Sequence, residues 1–143
     1  MTGSAFFDTN VLTYALTVRA GLERDPRSEI AEKTLSLGGV VSVQVLNEFA
    51  DVASRKFKKS WDAIEQYLEV INALCGRAVP LTAETQAAAI EISRNHGYRI
   101  YDSLILAAAQ QAGCATVFTE DMQHGQVVEG VRIENPFLNT VMP

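Results

Sequence analysis

Cysteine and histidine are scarce in this sequence, with two of each among 143 residues. Cys75 and Cys114 lie far apart in the chain and form no CxxC motif. Both are surrounded by apolar residues, which favours buried free thiols in a reducing compartment over a disulfide framework. We therefore expect a cytoplasmic protein without a Cys75–Cys114 bridge.

Long apolar runs are also missing. None reaches the roughly 18 residues that a membrane-spanning helix needs, so we expect no membrane segment. The first residues carry no basic region or cleavage pattern, and Asp8 interrupts the apolar run there. We accordingly expect no signal peptide.

An excess of positive charge is absent as well. The chain has 12 Lys and Arg against 17 Asp and Glu, for a net charge of −5. This is unlike a high-affinity, non-specific nucleic-acid binder. It leaves room for an enzyme that acts on nucleic acid, because a metal ion can neutralise an acidic site locally. Gly38-Gly39 fits neither a P-loop nor a dinucleotide-binding motif.

Short apolar runs that alternate with helical patterns dominate the chain. With 48% apolar and 20% charged residues, the composition is that of a soluble globular protein, and the length suits a single domain over residues 1–143. The predicted strands are residues 5–7, 40–43, 78–81, 115–118 and 131–133, with Pro80 favouring a sheet edge for the third. This alternation predicts an α/β fold, a three-layer αβα sandwich with a mainly parallel central sheet.

Several polar residues and glycines stand where helices should begin or end. Asp25-Pro26 is typical of a helix start, for a helix that runs to Gly38-Gly39. Gly97 is a predicted C-cap, and Asp102 is expected to open an apolar helix that stops at Gly113. The predicted N-caps of three further helices are Ser42, Ser60 and Thr82.

Acidic residues recur at one end of these predicted elements. Asp8 ends the first strand, Glu48 lies near the start of the helix after the second, and Asp102 stands at a helix N-terminus. Glu120 and Asp121 follow the fourth strand. In a parallel sheet, these positions share the edge where such folds bind ligands. Clustered carboxylates without Cys or His suit a hard divalent ion, Mg²⁺ or Mn²⁺, and such an ion supports phosphodiester cleavage.

Each acidic residue also has a purely structural interpretation. Asp8 alone is typical of a turn, and Asp102 could be an N-cap worth about 1 kcal/mol. Glu120 and Asp121 alone would suit a solvated loop. Glu48 has the stronger functional case, because it lies on a helix expected to face the core, where a carboxylate needs a partner.

Four segments resemble, in order and spacing, the motifs of the PIN domain family. They are FDTNVL (7–12), VLNEF (45–49), YDSLILAAA (101–109) and TVFTEDM (116–122). The length and layout resemble the VapC-type toxins of bacterial toxin–antitoxin pairs. The resemblance implies an Mg²⁺- or Mn²⁺-dependent endoribonuclease that cleaves RNA, forms a homodimer and is inhibited by a small antitoxin protein.

The resemblance also assigns roles to residues. Asp8, Glu48 and Asp102 correspond to metal-site and catalytic carboxylates. Asp121 is the expected fourth, with the adjacent Glu120 as the alternative. The side chains of Asn10 and Thr119 are expected to orient these ligands.

Three other features have competing interpretations. The basic run at residues 55–59 favours a solvated helix end, although it could contact an RNA backbone, with Phe57 or Trp61 stacking on bases. His124 is more typical of a solvated loop than of a ligand. The segment with Tyr14, Leu16 and Val18 favours core over a dimer face.

Two other functions compete with the ribonuclease. One is aspartyl phosphotransfer through Asp8, which usually requires a second aspartate two residues later, where this chain has Asn10. The other is a catalytically idle PIN-like scaffold that binds a partner protein or RNA. The complete set of carboxylates argues against the idle scaffold.

Overall fold

The computed structural model describes residues 4–17 and 24–140. These ranges contain six helices and four strands. In chain order they are β1 (Ala5–Phe7), α1 (Thr9–Leu16), α2 (Arg27–Ser36), α3 (Val43–Arg55), α4 (Trp61–Cys75), α5 (Ala83–His96), α6 (Ile100–Gln111), β2 (Thr116–Phe118), β3 (Val127–Val128) and β4 (Val131–Glu134).

The central sheet is mainly parallel, with the strand order β1-β2-β4-β3. β1 pairs in parallel with β2 and β2 with β4, whereas β3 runs antiparallel to β4. Beyond β1 the sheet continues through single parallel bridges, Phe6 with Val40 and Ser42 with Val79. The prediction that the chain near Asp8, Ser42 and Phe118 runs parallel and adjacent is therefore confirmed.

The predicted strands at 40–43 and 78–81 are shorter than expected. α3 already begins at Val43, because the Ser42 hydroxyl accepts a hydrogen bond from the Val45 N–H. After Val79 comes Pro80, which has no N–H to donate to a neighbouring strand. Residues 40–43 thus contribute two single bridges, at Val40 and Ser42, and residues 78–81 contribute one, at Val79.

β3 was not predicted. It forms a hairpin with β4 around Glu129 and Gly130, whose φ angles of 50° and 81° are both positive. Positive φ at both turn residues is the geometry of the tight turn that joins antiparallel strands. The two-residue β3 is too short for alternation to reveal it.

The helices cover the sheet in two groups. α1 packs against α2 and α3, and α3 against α4, whereas α5 packs on α6, which contacts β2 and β4. Between the layers lie fully buried side chains such as Phe6, Phe49, Leu106, Val117 and Ile133. This is the predicted three-layer αβα sandwich.

The start of two helices differs from the prediction. α2 begins at Arg27, and the Asp25 carboxylate accepts the Arg27 N–H at 2.9 Å across Pro26. α6 begins at Ile100, with Arg99 as its N-cap and without a side-chain cap hydrogen bond. The prediction that Asp102 opens this helix is therefore wrong, because Asp102 lies inside the first turn and does not cap it. The N-caps Ser42, Ser60 and Thr82 are confirmed.

Gly39 is required where the chain passes closest to β1. A Cβ atom at this position would lie 2.6 Å from the Ala5 carbonyl oxygen and 2.7 Å from the Phe7 ring. The approach lets the Val40 N–H reach the same carbonyl at 2.8 Å. Gly39 thus allows the bridge that extends the sheet beyond β1.

Both cysteines are free thiols, as predicted, with Cys114 buried and Cys75 half-buried. Burial raises the pKa of both thiols. Among the described helices, none is long and apolar enough to span a bilayer.

Candidate metal centre

Asp8 lies at the junction between β1 and α1, where it is buried with 5% exposure. Its backbone N–H donates to the Phe118 carbonyl at 3.0 Å, which fixes it beside the end of β2. One carboxylate oxygen accepts the Thr9 N–H at 2.7 Å and the other accepts the Thr119 hydroxyl at 2.8 Å. Burial, together with the charges of Asp121 and Glu48, raises the pKa of Asp8 to about 7 against these two hydrogen bonds.

Glu48 lies half-buried on α3 with both carboxylate oxygens engaged. The Thr9 hydroxyl donates to Oε2 at 2.8 Å and the Gln44 amide donates to Oε1 at 2.8 Å. Gln44 also donates to the Tyr101 carbonyl at 3.2 Å, next to Asp102. The Glu48 carboxylate is thereby positioned from both α1 and its own helix.

Thr119 connects Asp8 to Asp121. While its hydroxyl donates to Asp8, its oxygen accepts the Asp121 N–H at 3.1 Å and the Asn10 amide at 3.3 Å. Asn10 also donates to the Asp121 carboxylate at 3.2 Å. Asn10 and Thr119 therefore orient two of the candidate carboxylates, in agreement with the roles expected for them.

Glu120 points into a different set of contacts. Its carboxylate accepts the Tyr14 hydroxyl at 2.6 Å and lies 3.5 Å from the Arg27 guanidinium. Arg27 stacks 4.3 Å from the centroid of the Tyr14 ring and forms a two-point ion pair with Asp25. Because the charge of Glu120 is compensated in this way, Asp121 is the better candidate for the fourth carboxylate.

Asp102 is half-buried in the first turn of α6. Desolvation raises its pKa, Arg99 lowers it, and the charges of Asp121 and Glu48 raise it again. These interactions place Asp102 within electrostatic reach of two of the other candidates. Carboxylates from two helices and from the ends of two strands thus share one region.

A cleft of about 360 Å³ opens beside these residues. Glu48 and Asp121 line it, together with Asn10, Asp51 and Glu120, and we call it the acidic cleft. The buried Asp8 adjoins it through Thr9, which lines the cleft and donates its N–H to Asp8, and Asp102 does not line it. A cavity of this size is within the range of small-ligand sites, roughly 300–1,000 Å³.

The donor chemistry fits a hard divalent cation. All four candidates offer carboxylate oxygens, the ligands that Mg²⁺ and Mn²⁺ prefer. The raised pKa of Asp8 reflects burial and mutual repulsion, and a cation would relieve both. Within residues 4–17 and 24–140, no three His, Cys, Asp or Glu side chains lie close enough to form a ready ligand cluster.

Sequence reasoning missed Thr9 and Gln44, which hold Glu48. Gln44 is buried on the core-facing side of α3, with 8% exposure. Its position four residues before Glu48 places the two side chains on the same face of the helix. A buried amide one turn before an acidic residue was the available signal.

The remaining candidates are structural or unassigned. His124 is an exposed loop residue whose Nδ1 accepts the Asn135 N–H at 3.0 Å, in agreement with the preferred interpretation. Tyr14 packs edge-on against Phe137, and Leu16 packs against the core, whereas Val18 falls outside the described residues.

The fold also resembles solved structures. One is a toxin–antitoxin complex from Klebsiella pneumoniae, with a TM-score of 0.67 and 18% identity over 93% of this chain and 98% of that chain. A second is the Mycobacterium tuberculosis toxin VapC20, which cleaves the sarcin–ricin loop, with a TM-score of 0.62 and 24% identity over 82% and 92%. A third is VapBC2 from Rickettsia felis, bound to promoter DNA, with a TM-score of 0.64 and 17% identity over 92% and 97%.

At these identities the solved structures establish the fold alone. No curated protein sequence was found to match. The sequence model of the PIN domain matches residues 5–129, which is most of the chain. This chain therefore belongs to the PIN domain family.

Proposed function

We propose that this protein is an Mg²⁺- or Mn²⁺-dependent endoribonuclease. The observation that carries the proposal is the convergence of Asp8, Glu48, Asp102 and Asp121 on one edge of the sheet. Electrostatic interactions join both Asp8 and Asp102 to Glu48 and Asp121. Membership of the PIN domain family supports the same chemistry.

The four carboxylates are the residues that would hold the ion. When bound, it would polarise a phosphoryl oxygen and lower the pKa of a water molecule. The protein supplies the orientation of its ligands. Thr119 holds Asp8 and the backbone of Asp121, and Thr9 holds Glu48, so that the acidic groups keep defined positions despite their repulsion.

The test compares two charge-removing variants with a control in the same cleft. Asp8→Asn and Asp102→Asn each keep the shape of the side chain and remove its charge. Asp51→Asn is the control, because Asp51 lines the acidic cleft but is paired with Arg55. With a labelled single-stranded RNA and Mn²⁺, we expect the parent and Asp51→Asn to cleave. Asp8→Asn and Asp102→Asn should lose at least about a hundredfold in rate, as when an essential group is removed.

Asp102→Asn also decides between the two interpretations of that residue. Inside the first turn of α6, asparagine and aspartate differ little in their effect on helix stability. A folded Asp102→Asn variant with parental cleavage would remove Asp102 from the mechanism. Parental cleavage by folded Asp8→Asn as well would leave the idle scaffold or a contaminating nuclease as the explanation.

We further place the protein in a toxin–antitoxin pair, as a cytoplasmic homodimer with a cognate antitoxin. The supporting observation is that two of its structural neighbours are described as a toxin–antitoxin complex and as a toxin that cleaves the sarcin–ricin loop. Expression of the parent should arrest growth, and co-expression of a small protein encoded next to it should restore growth. Growth arrest by Asp8→Asn as strong as that of the parent would contradict a toxic activity based on cleavage. Light scattering of the purified protein reports the dimer.

A further inference from the structure

The charged residues that line the acidic cleft differ in whether their charge is compensated and in its sign. Two of the acidic residues that line it are compensated by arginines, Asp51 by Arg55 and Glu120 by Arg27. Glu48 and Asp121 belong to the candidate metal centre. Among the described residues that line the cleft, Lys56 is the one with a positive charge. The cleft thus has an anionic part around the metal centre and a cationic position at the end of α3.

Phe57 lines the cleft beside Lys56. The Lys56 ammonium lies 5.7 Å from the centroid of the Phe57 ring, so that a cation and an aromatic ring are presented together. Lys56 is the C-cap residue of α3, eight residues after Glu48, which corresponds to about 12 Å along the helix axis. The pair is therefore set apart from the metal centre but opens into the same cavity.

The backbone gives this pair a defined position. Both the Lys56 and the Phe57 N–H groups donate to the Val52 carbonyl, at 2.9 and 3.4 Å. Lys58 then adopts a left-handed φ of 55°, and the Lys59 N–H returns to the Ala53 carbonyl at 3.0 Å. Left-handed backbone at a residue other than glycine is uncommon and stops the helix at a fixed place. Phe57 thus lies in a hydrogen-bonded turn directly after the end of α3.

We propose that Lys56 and Phe57 form a nucleotide subsite for the RNA strand, in which Phe57 stacks on a base and Lys56 contacts a backbone phosphate. The inference rests on the proposed ribonuclease function and adds the residues that hold the strand. A cation beside an aromatic ring is the combination that binds single-stranded nucleic acid without strong sequence preference. The separation from Glu48 means that the base held here belongs to a nucleotide set apart from the cleaved bond.

The competing interpretation is that Lys56 only complements the negative end of the α3 dipole. That role would be equally served by Lys58, which is exposed and does not line the cleft. Likewise, a general aromatic surface would include Trp61, which is 68% exposed and lies outside the cleft. These two residues provide matched controls, since each carries the same chemistry a few positions away.

The experiment measures RNA binding by fluorescence anisotropy in an Asp8→Asn background, in which the strand is not cut. The probe is a fluorescein-labelled single-stranded oligoribonucleotide of mixed sequence. We expect Lys56→Gln to weaken binding about two- to fivefold, as for an exposed ion pair. It should also reduce the slope of log affinity against log salt by about 0.7, the value for one lost phosphate contact. Lys58→Gln should leave the slope closer to that of the parent background.

Phe57→Leu removes the ring and should weaken binding at least about fivefold, the lower end of the range for one stacked base. Phe57→Tyr keeps the ring and should bind RNA as tightly as the parent background. Trp61→Leu should not weaken binding. An abasic nucleotide moved along the probe locates the stacked base. At one position the abasic nucleotide should weaken binding to the protein that retains Phe57 and should cause no further loss of binding in Phe57→Leu. A folding defect in Phe57→Leu would not produce this dependence on one position of the probe.

The outcomes separate the subsite from the proposed function. Equal losses from Lys58→Gln and Lys56→Gln, or an abasic effect that Phe57→Leu does not remove, would overturn the subsite even if the parent cleaves RNA. Loss of binding confined to Lys56 and Phe57 variants, with a parent that does not cleave, would support the subsite and overturn the ribonuclease. Absence of any RNA binding and cleavage would overturn both.

Discussion

Asp8→Asn should make the protein more stable in the absence of metal ions, although it removes a residue of the candidate site. The pKa of Asp8 is raised from 3.8 to about 7, chiefly by burial. The folded chain therefore holds a proton that the unfolded chain releases at lower pH. By linkage, the stability that protonated Asp8 contributes to the folded chain is fully present below about pH 4 and is lost as the pH rises towards 7.

The size of the effect follows from the same values. A rise of the pKa from 3.8 to about 7 corresponds to about 4 kcal/mol of stability lost at pH 8, as an order of magnitude. Asparagine carries no charge and avoids this loss. It cannot accept hydrogen bonds at both of its polar atoms, so either the Thr9 N–H or the Thr119 hydroxyl loses its acceptor, which costs about 1–2 kcal/mol. The net gain should be about 2–3 kcal/mol, or roughly 10 °C in melting temperature for a chain of this length.

Thermal unfolding followed by circular dichroism in EDTA measures the difference between parent and variant. We expect Asp8→Asn to melt higher at pH 8, the advantage to disappear near pH 5, and the parent to be the more stable protein near pH 4, where only the lost hydrogen bond of the variant counts. Asp51→Asn is the control, because Asp51 is exposed and its pKa is lowered by Arg55, so it should gain nothing. An Asp8→Asn variant that is no more stable than the parent at pH 8, or whose advantage does not change with pH, would show that the buried charge of Asp8 does not destabilise the fold.

Three further predictions follow from the contacts of the site. Asp121→Asn should abolish RNA cleavage, whereas Glu120→Gln should retain cleavage and lose about 1 kcal/mol of stability through the weakened contacts of Glu120. The reverse pattern in a cleavage assay would make Glu120 the fourth carboxylate. Thr119→Val preserves the shape of a buried side chain and removes the hydroxyl that Asp8 and Asp121 share, so cleavage should fall at least about tenfold with the fold retained; parental activity in this variant would show that the hydroxyl is dispensable. Thiol titration of the denatured protein under non-reducing conditions should find both Cys75 and Cys114 free, and a monomer with neither thiol free would contradict the structure.

The architecture was accessible from the sequence where local patterns were strong. Apolar runs such as residues 5–7 and 115–118 predicted the central strands, and Ser42, Ser60 and Thr82 marked helix starts because a hydroxyl before an apolar stripe satisfies free N–H groups. Residues 40–43 look equally β-like, yet α3 takes Val43 and leaves only single bridges. Tertiary packing decided this boundary, which β propensity does not encode.

The composition of the candidate site was predicted better than its contacts. Acidic residues at strand ends and helix starts converge because a parallel sheet brings those ends to one edge. The choice between Glu120 and Asp121 depends on the direction of each side chain after β2. Tyr14 and Arg27, which lie 106 and 93 residues before Glu120 in the sequence, bind the Glu120 carboxylate and so set its direction. Such long-range pairings have no signature in a local motif.

The most direct test of the candidate metal centre is the anomalous scattering of Mn²⁺ in crystals of the parent protein. We expect a peak at the edge of the acidic cleft, coordinated by Asp8 and at least one of Glu48, Asp102 and Asp121, at the roughly 2.0–2.2 Å typical of small divalent ions and carboxylate oxygens. The same peak should be missing from crystals of Asp8→Asn. A peak elsewhere, or one that persists in Asp8→Asn, would contradict the assignment of these carboxylates as the metal centre.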